Sequence, residues 1–279
     1  MRIRFSLFTV LAAALLAAPT ARADEAVRYY VSLGDSLAQG YQPIGGSPFG
    51  DGYNQGYADQ LLKLLREPAE HLRLVKLGCG AETTTTMLFG GSPFCAYPGP
   101  QLAAAVAFLS AHRGEVAFVT IDIGGNDLIQ PNGGGGVAIQ ANLPVILGAL
   151  RDAAGPRVPI VGMTYYSPTL PSLWFETHDL QAVAARVARL VAVNDLLESI
   201  YAGADDPVAD VESAFDSTDT TLVDGVPANV VRLCAWTRLC ASPPLGPDLH
   251  PNNAGYATIA QAFAQVLPPE VNNEQEVAP

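Results

Sequence analysis

The chain predicts a doubly wound α/β domain built on a parallel sheet, and three observations lead there. Short β-branched runs alternate with longer stretches of helical periodicity along most of the sequence. The short runs are nearly continuous in apolar residues, as strands covered on both faces tend to be. Composition supplies the core such a sheet needs: of 279 residues, 49% are hydrophobic and 15% charged, a balance far from that of disordered chains. Strand–helix alternation then gives three layers, helix over sheet over helix, with about five strands in one domain.

In chain order, Arg28 to Leu33 reads as the first strand, ending at Gly34, and Leu72 to Leu77 as the second, ending at Gly78. Val116 to Ile123 is the third, ending at Gly124-Gly125; Val158 to Met163 and Val208 to Val211 follow as fourth and fifth. Tyr57 to Leu65, Gln101 to Leu109 and Ile139 to Leu150 repeat apolar residues at three- and four-residue spacing, the mark of amphipathic helices. Leu180, Val183, Ala184, Val187, Leu190, Val191, Leu197 and Ile200 make a wide apolar stripe over several turns. A last helix begins at about Asn252, with Ile259, Phe263 and Val266 facing inward. The glycine run Gly133 to Gly136 reads as a surface loop rather than a phosphate cradle.

The ends of the chain carry separate signals. Arg2 and Arg4 precede an apolar stretch from Phe5 to Ala18, and Ala21-Arg22-Ala23 offers a small-residue exit. These are the parts of a secretory signal peptide, expected over 1–23. The apolar run falls short of the roughly 20 residues that a membrane span requires. Export is therefore expected, to a periplasm or beyond the cell, with no stable membrane insertion after cleavage. The folded domain is expected over 24–268, and the polar, proline-bearing segment 269–279 as a loose tail.

Charge and cysteine usage narrow the functions. Fifteen basic residues against 27 acidic ones give a formal charge of −12, which argues against nucleic acid as a partner because its phosphates need a basic face. A small-molecule or lipid ligand and a monomeric chain are expected instead. No P-loop, His-Glu-x-x-His or paired CxxC motif occurs, so no cofactor and no metal are expected. Cys79, Cys95, Cys234 and Cys240 are an even set, and disulfides are the default in an exported chain. Three pairings are open, and proximity in sequence favours Cys79–Cys95 with Cys234–Cys240.

Doubly wound sheets bind ligands beyond the carboxyl ends of their strands. Gly34-Asp35-Ser36-Leu37 follows the first strand, Gly78-Cys79-Gly80-Ala81-Glu82-Thr83 the second and Gly124-Gly125-Asn126-Asp127 the third. Asp248-Leu249-His250-Pro251-Asn252 adds an imidazole just before the last helix, whereas His71, His112 and His178 have no partner motif. Each segment alone has a plainer account: Ser36 as a helix cap, Gly124 to Asp127 as a turn, His250 as a structural residue. Together, in this order and at these strand ends, they favour a site.

These four segments, spread from Val27 to about Leu267, resemble the sequence blocks of the SGNH/GDSL hydrolase family. The Gly-x-Ser-x-Gly elbow of α/β-hydrolases is absent. The resemblance implies the three-layer, flavodoxin-like SGNH fold and a secreted carboxylic ester hydrolase, an esterase or lipase. It makes Ser36 the nucleophile and His250 its base. It assigns the oxyanion hole to the N–H of Ser36, an N–H of the Gly78–Ala81 loop and the side-chain amide of Asn126. Gly80 is the expected loop donor, with Ala81 as the alternative. The family usually sets aspartate three residues before the histidine, a position held here by Pro247; either Asp248 or a backbone carbonyl then orients the ring. Asp35 and Asp127 read as loop braces, not as a glycosidase carboxylate pair. Aromatic residues on the Gly/Pro-rich loops Gln42–Tyr53, Phe89–Pro100 and Tyr165–Trp174 (Phe49, Tyr53, Phe89, Phe94, Tyr97, Trp174, Phe175) are candidates to wall an acyl groove. Two other functions stay open: polysaccharide O-deacetylation, and non-catalytic extracellular binding on the same scaffold.

Overall fold

The computed structural model describes residues 27–43, 54–65, 71–129 and 134–272; the leader expected over 1–23, Phe49 and Tyr53 lie outside them. Five parallel strands form one sheet: β1 (Arg28–Gly34), β2 (Leu72–Lys76), β3 (Val116–Asp122), β4 (Ile160–Met163) and β5 (Val208–Ala209). Their spatial order is β2-β1-β3-β4-β5. The chain steps from β1 outward to β2, then returns past β1 to lay down β3, so the direction of winding reverses between β1 and β3. Every residue of β3 is buried, as the apolar run in the middle of a doubly covered sheet must be.

The strands begin and end for local reasons. Pro159 has no N–H to give the ladder, so β4 opens at Ile160 although the Pro159 carbonyl still accepts from Val119 N at 2.8 Å. The fifth strand stops at Ala209 because Asp210 caps a helix, its Oδ1 accepting from Ser213 N at 2.9 Å. Val211 therefore belongs to a helix and not to the predicted strand.

The helices are α1 (Ser36–Gln39), α2 (Tyr57–Leu65), α3 (Thr84–Phe89), α4 (Gln101–Ala111), α5 (Gly125–Leu128) and α6 (Gly135–Ala154). They continue with α7 (Leu170–Thr177), α8 (Leu180–Gly203), α9 (Val211–Ala214), α10 (Ala228–Trp236), α11 (Asn253–Val266) and α12 (Pro269–Asn272). On one side of the sheet α2 packs on α11, with Tyr57 stacked on Phe263 at 4.8 Å between centroids. On the other, α4, α6 and α8 pack in series. Val183, Val187, Leu190 and Leu197 of the α8 stripe are buried, while Leu180 and Ala184 face solvent near its start.

Two expectations need correction. The glycine run is not a loop throughout: Gly135 and Gly136 open α6, and a Cβ at Gly135 would stand 2.2 Å from the Asp127 carbonyl oxygen. Close approach of two backbones explains that glycine. The packed chain also runs past Pro268, since Pro269–Asn272 is helical and Val271 is buried. Both expected disulfides, Cys79–Cys95 and Cys234–Cys240, are formed. Among the described residues no helix is long and apolar enough to cross a membrane.

Candidate active site

Ser36 stands where β1 ends and a helix begins. Gly34 takes φ +130°, and a Cβ there would lie 2.0 Å from the Asp122 carbonyl oxygen, so only glycine lets β1 pass β3 so closely. Gln101, buried at the start of α4, holds this residue from both sides: its Oε1 accepts from Gly34 N at 2.7 Å and its Nε2 donates to Gly34 O at 2.8 Å. Asp35 then caps α1, its Oδ1 accepting from Leu37 N at 2.8 Å. The turn presents the Ser36 hydroxyl at the carboxyl edge of the sheet.

His250 reaches that hydroxyl from the far end of the chain. Its Nε2 lies 2.8 Å from Ser36 Oγ and its Nδ1 lies 2.7 Å from Asp248 Oδ1. The same Oδ1 accepts the backbone N–H of His250 at 2.9 Å. Because an ionised carboxylate only accepts, Nδ1 carries the proton and Nε2 is left to accept from the serine. Burial pushes the Asp248 carboxyl up, but the hydrogen bonds from His250 and the charge of its imidazolium form outweigh it and leave Asp248 below the ordinary carboxylate value. The segment is fixed by backbone bonds from Arg238 N to His250 O at 2.9 Å and from Asp248 N to Arg238 O at 3.0 Å. Tyr41 packs edge-on against the imidazole at 4.5 Å.

Asn126 sits in α5, just after the left-handed Gly124. Its Nδ2 donates to Glu82 O at 2.9 Å and is 3.4 Å from Asp35 Oδ2, so it bridges the loops that follow β1 and β2. The loop after β2 is tied to the serine strand by Cys79 N donating to Gly34 O at 3.0 Å, and to its own far side by the Cys79–Cys95 disulfide. Within it, Gly80 bridges to Phe94, and the left-handed conformation falls on Ala81 with φ 57°. The two acids behave as braces: Asp127 accepts from Thr84 N at 2.9 Å and from Thr84 Oγ1 at 2.6 Å.

A cavity of about 380 Å³ opens beside Ser36 and Asn126. Leu128, Ile129, Leu190, Val193 and Leu249 give it an apolar wall, and Tyr165 and Tyr166 line it beyond the end of β4. Asn194, buried within the α8 stripe, pins that segment: its Oδ1 accepts from Tyr165 N and its Nδ2 donates to Tyr165 O, each at 2.9 Å. The groove candidates among the described residues lie elsewhere. Phe89, Phe94 and Phe175 are exposed, Trp174 is buried in the core, and none of them lines this cavity. Gln101, Asn194 and the helical side of the cavity wall were missed from sequence, whereas the loop Tyr165–Trp174 does line it through residues 165–169. Tyr165-Tyr166 alone carried a signal, their place at a strand's carboxyl end. Among the described residues, the grouping with metal-ligand spacing is Cys79, Glu82 and Cys95, and its two sulfurs are joined to each other. A disulfide offers no thiolate to an ion.

A doubly wound sheet carrying a serine, histidine and aspartate at its winding reversal defines a carboxylic ester hydrolase. Residues 32–258 match the GDSL-like lipase/acylhydrolase family, and the chain belongs to that family. Among solved structures, the acetylxylan esterase Axe2 from Geobacillus stearothermophilus is similar with a TM-score of 0.54 and 17% identity, over 86% of this chain and 94% of that one. LAE5, an alpha/beta hydrolase enzyme from the metagenome of Lake Arreo in Spain, gives a TM-score of 0.50 and 21% identity, again over 86% and 94%. No curated protein matches the chain significantly.

Proposed function

We propose that the protein is an exported serine esterase or lipase that works through an acyl-enzyme. The observation that carries this reading is the continuous relay from Ser36 Oγ to His250 Nε2 at 2.8 Å and from Nδ1 to Asp248 Oδ1 at 2.7 Å. As the Ser36 oxygen attacks the ester carbonyl, its proton passes to Nε2, and Asp248 steadies the imidazolium that forms. The N–H groups of Ser36 and Gly80, with the Asn126 amide, receive the oxyanion; one Nδ2 proton is held by Glu82 O and the other makes only a long contact with Asp35. His250 then protonates the departing alkoxide, and water releases the acid by the same route in reverse. Losing one oxyanion donor of this kind costs about 2.7–4 kcal/mol of transition-state stabilisation.

An apolar wall favours an acyl chain over a bare acetyl group, so polysaccharide deacetylation, the activity in the name of the acetylxylan esterase above, ranks second. The leader over 1–23 and the two disulfides support export, and the mature chain is proposed to act as a monomer. Fluorophosphonate labelling, followed by a panel of acyl esters and acetylated sugars, tests the proposal. Label is expected on Ser36. Ser36→Ala is expected to abolish cleavage of a short chromogenic ester with the thermal melt nearly unchanged; unaltered turnover would dismiss the nucleophile.

A further inference from the structure

The cavity beside Ser36 has a second wall, and it is basic. Arg186 and Arg189 lie three residues apart on α8 and both line the space that Leu190 and Val193 close from the same helix. Arg186 is half-buried, and its Nη1 donates to the neutral Thr169 Oγ1 at 2.7 Å; Arg189 is exposed at the rim. Three cations elsewhere pair with acids: Lys76 with Asp59, Arg151 with Asp206 and Arg232 with Asp216. Among the described residues no carboxylate lies within 4.0 Å of either cavity arginine. Two like charges at this helical spacing repel each other, and a chain of net charge −12 has acids to spare for neutralising them. Guanidinium groups hold carboxylates and phosphates through paired N–H bonds.

We propose that the preferred substrate is an ester bearing an anionic group, a carboxylate or phosphate, a few bonds from the scissile carbonyl, with Arg186 and Arg189 receiving that group. This rests on the ester-hydrolase reading and names the substrate class of the same site. Its apolar segment would lie along Leu190 and Val193, and its anion against the arginines.

The test measures kcat/KM for matched pairs of esters. One arm compares the 4-nitrophenyl hemi-ester of glutarate with its neutral methyl ester, placing the anion on the acyl side. The other compares O-butyryl glycerol 3-phosphate with O-butyryl glycerol, placing it on the alcohol side. At low salt the anionic member of at least one pair is expected to be favoured tenfold or more. That ratio should shrink as ionic strength rises, because an exposed arginine is screened. Arg189→Gln should lower the ratio about fivefold, Arg186→Gln with Arg189→Gln should bring it near one, and Arg189→Lys should restore most of it. Ratios near or below one in both arms, or a ratio untouched by the double substitution, would overturn the proposal while cleavage of the neutral esters left the hydrolase reading intact. Calorimetry of monomethyl glutarate and glycerol 3-phosphate on the Ser36→Ala chain reads the arginines without turnover. Binding of either, weakened tenfold by the double substitution, supports the proposal; equal or absent binding counts against it.

Discussion

At the residue scale, the unusual spacing of Asp248 and His250 is bridged by one oxygen. Oδ1 of Asp248 accepts both the backbone N–H and the ring N–H of a residue two places on. Such a turn closes on itself and brings a carboxylate to the ring from two residues back. Spacing could not choose between Asp248 and a backbone carbonyl, because the choice depends on how a short loop folds around its own side chain. Asp248→Asn keeps an acceptor but removes the negative charge beside the imidazolium, so kcat is expected to fall by on the order of 10²-fold or more. A loss within threefold on a chromogenic ester would return the orienting role to a carbonyl. The loop after β2 sets its positive φ on Ala81 and not on Gly80, where a rule preferring glycine would not look for it.

Elements were legible wherever periodicity ran long. Five strands and the five principal helices fall within a few residues of the spans their patterns indicate. What periodicity could not reveal was what an element holds. Gln101 looks like an ordinary first residue of an amphipathic helix, yet it clamps Gly34 across 67 positions of sequence. Gln101→Leu strands the buried Gly34 N–H at the turn carrying Ser36, while the Gly34 carbonyl keeps the Cys79 N–H. At about 1–3 kcal/mol for an unsatisfied buried group, urea denaturation should show a loss in that range; a change below about 0.5 kcal/mol would deny the clamp. The small hairpin Leu222–Val223 and Val226–Pro227 was readable and went unread. Its Asp224-Gly225 turn has φ of 51° and 82°, the paired positive values that Asp-Gly favours.

Across the whole molecule, the winding reversal between β1 and β3 gathers Ser36 and Asn126 at one crevice, as the strand-end rule anticipates. Beneath that crevice lies a feature no motif discloses. Asp122 is fully buried, accepts from Tyr57 Oη at 2.7 Å and faces Asp35 across the strand ends. Burial, and then the charge of Asp35, push the Asp122 carboxyl well above its ordinary value of 3.8. The folded chain therefore keeps a proton that the unfolded chain releases once pH passes that ordinary value. Stability from this group is lost as pH rises through the window above it. Asp122→Asn retains an acceptor for Tyr57 and cannot ionise, so its melting temperature should decline less between pH 4.5 and 8 than that of the parent chain. Identical slopes in thermal melts would show that Asp122 does not titrate there. Finally, 214 residues separate the serine hydroxyl from the imidazole that would activate it. A chain whose segment near residue 250 has not yet been made or docked thus carries a mute alcohol, and the relay exists only once that segment reaches the end of β1.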